Sequence, residues 1–141
     1  MFAVWIAIGK WLVPYEAIPQ GLSELSPPAR AFWVCCRALA AILTVPLAEE
    51  LAFRGYLLRR CASMDFDAIG FSQVRWPALL LSSVLFGAMH GTMWLAGSIA
   101  GLAYGLVAIR TNRLGESVAA HATSNVLIAV TVLGFGQWQW W

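Results

Sequence analysis

The sequence predicts an all-α fold, a polytopic transmembrane helix bundle, and three observations carry that prediction. Of the 141 residues, 60% are hydrophobic and only 11% are charged, with a mean hydropathy of +0.71. Soluble domains carry roughly 25% charged residues. Several apolar runs approach the roughly 20 residues needed to cross a hydrocarbon core of about 30 Å. No stretch alternates apolar with polar residues, and lipid leaves backbone groups no partners except within a helix or a closed barrel. The expected architecture is about four core spans plus a short N-terminal hydrophobic segment.

The first run, Phe2–Val13, is too short to span. It has no basic stretch ahead of its apolar part and no evident cleavage site, so it is not expected to be a signal peptide. It reads as a short anchor or the end of a longer membrane region. Pro14, Pro19, Pro27 and Pro28 mark the connection that follows, because proline cannot continue a helix interior. Residues 1–30 are therefore expected to form a hydrophobic segment and proline-rich connection, with the functional core over 31–141.

Within that core the runs are Ala31–Leu58, Trp76–Leu95, Ala96–Ile109 and Ser117–Phe135. Gly97, Gly101 and Gly105 recur every four residues, which puts them on one helix face and permits close approach of a neighbour. Trp33, Trp76, Trp138, Trp140 and Trp141 lie at run ends, where indoles favour the headgroup level. Arg59, Arg60 and Arg75 fall in one connection, and Arg110 and Arg113 in another. Alternating spans put both on the same face, cytoplasmic by the positive-inside rule, in what is expected to be a bacterial cytoplasmic membrane. A net charge of +2 with no basic patch argues against nucleic-acid binding. Three cysteines make no disulfide framework; Cys35 and Cys36 read as small buried hydrophobes and Cys61 as a loop thiol.

Glu49 and Glu50 interrupt the second run. Charge at membrane depth is costly and tends to mark function. Glu50 and Arg54 are i, i+4 neighbours and are expected to pair. Glu49, rotated by about 100°, cannot share that partner as easily, so its protonation depends on what faces it across the bundle. Pro46 should loosen the helix and free backbone carbonyls toward a cavity. His90 ends a Phe-x-x-x-His pattern, and His121 and Asn125 share a helix face. Counted at about 1.5 Å per residue from the nearest arginine, Glu49 and Glu50 lie roughly 14–15 Å deep, His121 about 12 Å, Asn125 about 18 Å and His90 about 22 Å. These depths overlap near mid-membrane.

Glu49-Glu50-Leu51-Ala52-Phe53-Arg54, Phe86-Gly87-Ala88-Met89-His90 and His121-Ala122-Thr123-Ser124-Asn125, in that order, resemble the CPBP (Abi) family. That family contains the CAAX prenyl endoproteases of the Ras-converting type and bacterial relatives linked to bacteriocin processing and self-immunity. The surroundings of Glu49 and the Gly-Gln-Trp near the end also resemble the protease portion of exosortase-associated bacterial proteins. The resemblance implies an intramembrane endopeptidase acting on a peptide or protein with a membrane-proximal or C-terminal cleavage site. Glu49 would be the general base and His90 would help polarise water. His121 and Asn125 would stabilise the oxyanion, with Glu50 and Arg54 as a supporting pair. A carboxylate–imidazole pair supplies base and acid, and preorganised donors stabilise the developing charge.

Glu49, His90 and His121 could instead form a His₂Glu zinc site with an open position. The H-E-x-x-H motif is missing, and Asn125 suits an oxyanion better than zinc, so a metal-independent glutamate mechanism is preferred. Two other classes are a non-catalytic peptide-binding or bacteriocin-immunity protein of the same fold, and a proton pathway through intramembrane Glu and His.

Overall fold

The computed structural model describes residues 1–141, all helices and turns without a strand. Helix α1 covers Phe2–Leu12, and a single turn, Gln20–Ser23, leads to α2, a continuous helix over Pro27–Ala62. Then come α3 (Trp76–Ala88), α4 (Trp94–Thr111, preceded by the tight turn Gly91–Met93), α5 (Leu114–Phe135) and a last turn, Trp138–Trp140. Three helical stretches are long and apolar enough to cross a membrane: Pro27–Ala62, Gly91–Thr111 and Leu114–Phe135.

That is one fewer than the four expected, and the difference lies at Trp76–Leu95. The chain breaks after Ala88, where Gly91 adopts a positive φ of 55°, a conformation that glycine tolerates without a Cβ penalty. Leu95 therefore belongs to the next helix. Helix α3, at 13 residues, is shorter than a span, while the fourth run gains the length it lacked.

Two features of α2 matter for the site. Pro27 and Pro28 begin it, where a missing N–H costs nothing. Farther on, the helix widens twice into π-type turns, at Ala40–Thr44 and Leu51–Leu58, a geometry frequent at functional sites. In the first, the Val45 N–H donates to the Ala40 carbonyl five residues back. Pro46, next in that register, has no N–H to offer Ala41.

Helices α3 and α4 pack along the glycine stripe. A Cβ on Gly97 would lie 3.0 Å from the Cα of Gly87 and from Nδ1 of His90, and one on Gly101 would lie 3.0 Å from the Cα of Ser83. The backbones approach so closely that a larger residue at either position would have to push its neighbour aside by a few tenths of an ångström, as the four-residue spacing led one to expect.

The arginine-bearing connections share one end of the bundle. The Ser72 N–H donates to Oδ1 of Asn112 at 3.1 Å, and Asn112 closes the α4–α5 turn in the left-handed conformation, φ 55°. Arg59 ties the first connection down, donating to the carbonyls of Gly55 and Ile69 and lying 3.7 Å from Asp67.

At the other end, Trp140 is buried over Gly9 of α1. It packs inside the bundle rather than serving as a headgroup anchor, whereas Trp33 and Trp76 are exposed. Cys35 and Cys36, expected to be buried, are exposed like Cys61. The reason is that α2 carries little protein cover on its outer face.

Candidate functional site

Glu50 is the hub of the bundle interior. It is completely buried, and three donors from two helices converge on its carboxylate. Nη1 of Arg54 donates to Oε1 at 2.9 Å, Oγ of Ser117 to Oε2 at 2.6 Å, and Nδ1 of His121 lies 3.0 Å from Oε1. Arg54, one turn away on α2, is buried as well. Its Nη2 donates to the Gly101 carbonyl at 2.9 Å, and its guanidinium lies 4.3 Å from the Phe86 ring centre. Every charge in the pair thus has a partner, which a buried ion pair requires.

The acceptor at Glu50 also fixes His121. An ionised carboxylate only accepts hydrogen bonds, so Nδ1 of His121 carries the proton and Nε2 points away from Glu50. The ring stacks on Tyr104, centres 4.7 Å apart with 15° between planes. Tyr104 in turn belongs to α4, and its backbone carbonyl lies 2.9 Å from Ser117 Oγ, sharing the single hydroxyl hydrogen with the nearer Glu50 carboxylate. A carboxylate that orients an imidazole through Nδ1 is a recurrent way of setting which nitrogen does chemistry.

Glu49 occupies the next position on α2 and faces elsewhere. Its Oε2 lies 3.9 Å from Nε2 of His121, beyond hydrogen-bond range, and that oxygen is shielded yet accepts no hydrogen bond from the protein. Glu49 and His121 both line a cavity of about 190 Å³, room for several waters by the measure of about 10–15 Å³ each.

His90 and Asn125 line the same cavity. His90 follows the end of α3, with Nδ1 donating to the Phe86 carbonyl at 2.8 Å and Trp5 of α1 edge-on at 5.5 Å. That leaves its Nε2 as the nitrogen available for chemistry. Nδ2 of Asn125 donates to the Ala41 carbonyl at 2.7 Å, the carbonyl that Pro46 leaves without a helical donor. One amide hydrogen of Asn125 is thus engaged and the second is free.

Glu49, Glu50, Arg54 and His121 therefore form one connected cluster, and His90 and Asn125 complete the wall around it. Ser117, Tyr104 and the Gly101 carbonyl were not singled out in the sequence. Ser117 could have been, since Ser117, His121 and Asn125 recur at four-residue spacing on one helix face. No group of three or more His, Cys, Asp or Glu side chains is arranged to hold a metal ion. Nδ1 of both His90 and His121 is engaged, by a carbonyl and a carboxylate, which leaves Nε2 of each free, the nitrogen by which a histidine so held would ligate a metal.

A family model described as type II CAAX prenyl endopeptidase, Rce1-like, matches residues 31–127. No curated protein and no solved structure matches the chain.

Proposed function

The chain belongs to the Rce1-like family of type II CAAX prenyl endopeptidases, and from that premise we propose that Glu49 is the general base of a metal-independent peptide hydrolysis inside the membrane. The family and the three membrane-length helices make it an integral membrane protein of the CAAX endopeptidase kind. The observation that carries the mechanism is the 3.9 Å separation of Glu49 Oε2 and His121 Nε2. Both atoms are acceptors in the resting state. A water donating at about 2.8 Å to each would span that gap and be held for attack once the Glu49 side chain turns its shielded Oε2 toward the cavity.

The reaction then follows. Glu49 takes a proton from the water as its oxygen adds to the scissile carbonyl, and the carbonyl oxygen becomes an oxyanion. The free amide hydrogen of Asn125 stabilises that charge, as does His90 when its Nε2 is protonated. Glu49 passes its proton to the amide nitrogen, the C–N bond breaks, and the carboxylic acid formed gives its proton to the released amine, so that a carboxylate and an ammonium leave. Glu50, with Arg54 and Ser117, keeps the His121 ring in place. This reading exchanges two roles expected from the sequence: the contact favours His121 as Glu49's partner in holding water, and His90, on the wall of the same cavity, is left to serve as an oxyanion donor. No cysteine or serine serves as nucleophile in this scheme.

Orientation follows from the positive-inside rule, which puts the connections bearing Arg59, Arg60, Arg75, Arg110 and Arg113 in the cytoplasm. The substrate is a peptide or protein presented at the membrane.

The test uses purified protein in liposomes and a lipid-anchored fluorogenic peptide. Glu49→Gln should lower cleavage by about 100–10,000-fold, the usual worth of a general base, while the variant inserts and unfolds as wild type does. Cleavage at the wild-type rate would refute the role of Glu49. A chelator should leave activity unchanged; loss restored by zinc would replace direct carboxylate catalysis with a metal site.

A further inference from the structure

The oxyanion of the reaction above has one donor that is always in place, the free amide hydrogen of Asn125. His90 adds a second only when its Nε2 is protonated, because its Nδ1 already donates to the Phe86 carbonyl. One buried polar side chain on the wall of the same cavity is so far unused, the phenol of Tyr104. Two neighbours fix its ring: His121 stacks on it at 4.7 Å, and the Arg54 guanidinium lies 5.6 Å from its centre. From α4 the side chain thus reaches across to α5, where its hydroxyl faces Ser124. Ser124 Oγ donates its single hydrogen to the Ala120 carbonyl at 3.1 Å, so toward Tyr104 it offers lone pairs alone. Tyr104 is therefore the donor in that contact. Ser124 directly precedes Asn125, and both line the cavity. The phenolic hydrogen is carried past His121 to the part of the wall that bears Asn125.

We propose that Tyr104 is a further catalytic residue, whose hydroxyl turns from Ser124 to donate a hydrogen bond to the oxyanion beside Asn125. The inference rests on the proteolytic reading and deepens it. The hydrogen stays on the phenol throughout; rotation about the C–O bond redirects it, and no covalent bond to Tyr104 forms or breaks. A phenol keeps its proton at neutral pH, its ordinary pKa being about 10. In the resting state the hydroxyl has a neutral partner, and in the tetrahedral intermediate a charged one. A hydrogen bond to an ionised oxygen is roughly twice as strong as one between neutral groups. The exchange of partners therefore favours the transition state over the ground state, which is the condition for accelerating the chemical step. A neutral substrate carbonyl competes poorly with Ser124, so Tyr104 contributes to kcat rather than to substrate binding. Its stack on His121 also ties the oxyanion donor to the imidazole that holds the water, which fixes the two in relation to each other.

The alternative is that Tyr104 only supports the His121 ring. Tyr104→Phe keeps ring and stack and removes the hydroxyl. It should lower kcat for the lipid-anchored fluorogenic peptide by about 100-fold, the scale of losing one oxyanion donor, with KM near that of wild type. Tyr104→Leu, which also removes the stack, should fall further. Ser124→Ala deletes the resting partner but leaves the phenol, and should cost far less than Tyr104→Phe. A peptidyl trifluoromethyl ketone, bound as its tetrahedral hydrate, should lose affinity in Tyr104→Phe. The uncleaved peptide should bind Glu49→Gln and Glu49→Gln/Tyr104→Phe equally. A Tyr104→Phe protein with wild-type kcat, a defect confined to KM, or unchanged affinity for the ketone would overturn the proposal. A loss in Ser124→Ala as large as that in Tyr104→Phe would also overturn it, by making the contact between the two structural. If wild type cleaves no peptide, proteolysis falls and this role with it; cleavage by wild type that Tyr104→Phe matches removes Tyr104 alone.

Discussion

Removing Glu50 tests the hub directly. In Glu50→Ala, Arg54 keeps the Gly101 carbonyl and the face of Phe86, but its charge has no counter-ion in a buried site. Ser117 still donates to the Tyr104 carbonyl, whereas His121 loses the acceptor for its Nδ1. The largest cost is the stranded guanidinium, about 3–5 kcal/mol for breaking a buried pair. Glu50→Ala/Arg54→Leu removes that charge too and should regain a substantial part of the loss, since replacing both partners by apolar groups is often near neutral. Activity should not return, because His121 remains unheld, and misplacement by about 1 Å can cost on the order of 100-fold. Unfolding by SDS titration in mixed micelles measures the stability terms, and peptide cleavage in liposomes the activity. A Glu50→Ala protein as stable as wild type, or a double variant no more stable than the single one, would show that the pair does not hold the bundle. Full activity in the double variant would show that Glu50 does not position His121.

Three further outcomes follow from particular contacts. Asn125→Ala leaves the Ala41 carbonyl without a donor and should cost about 1–3 kcal/mol; adding Pro46→Ala, which supplies an N–H in that register, should recover part of that stability but not the cleavage rate, both read in the same two assays. Gly101→Ala would place a Cβ 3.0 Å from the Cα and 3.1 Å from the carbonyl oxygen of Ser83, so α3 must move and stability should fall by about 1–3 kcal/mol; an unfolding midpoint equal to wild type would deny the close packing. Cys61, exposed beside Arg59 and Arg60, should react with a membrane-impermeant maleimide only after cells are opened, in a background with Cys35 and Cys36 replaced by serine; labelling in intact cells would invert the orientation.

What the sequence revealed was what local periodicity controls. Helical class followed from composition, and the Glu50–Arg54 pair from one-turn spacing. The Gly97, Gly101, Gly105 stripe announced close packing because small residues on one face have few other uses in lipid. The break after Ala88 was harder to read. Met89, Trp94 and Leu95 are as apolar as the helices on either side, so hydropathy is blind to a reversal that depends on the φ of Gly91. Ser117 was hidden for a related reason: a serine in an apolar helix can satisfy itself on its own backbone, and only the register with His121 distinguishes it. Trp140 and Cys35 erred in opposite directions. Composition says that a side chain prefers an environment; which face of a helix receives a neighbour is decided by tertiary packing.

The two adjacent glutamates show how neighbouring carboxylates come to differ. Their side chains diverge by about 100° around α2, enough to send one into the bundle seam and the other into the cavity. Glu50 meets Arg54, Ser117 and His121, and a carboxylate so fully engaged has no free lone pair pointing where a water or a peptide could approach. Glu49 retains an oxygen with no protein donor, which is the condition for accepting a proton from something that enters. His121 joins the two, held through Nδ1 by the first and presenting Nε2 to the second. Exchanging the two jobs would require turning the helix by a position, which would take Arg54 off the Gly101 carbonyl and Asn125 off the Ala41 carbonyl together. The wide turns on either side of Glu49 and Glu50 set that rotation. The register of α2, more than the presence of any one acidic residue, therefore determines which carboxylate is reactive.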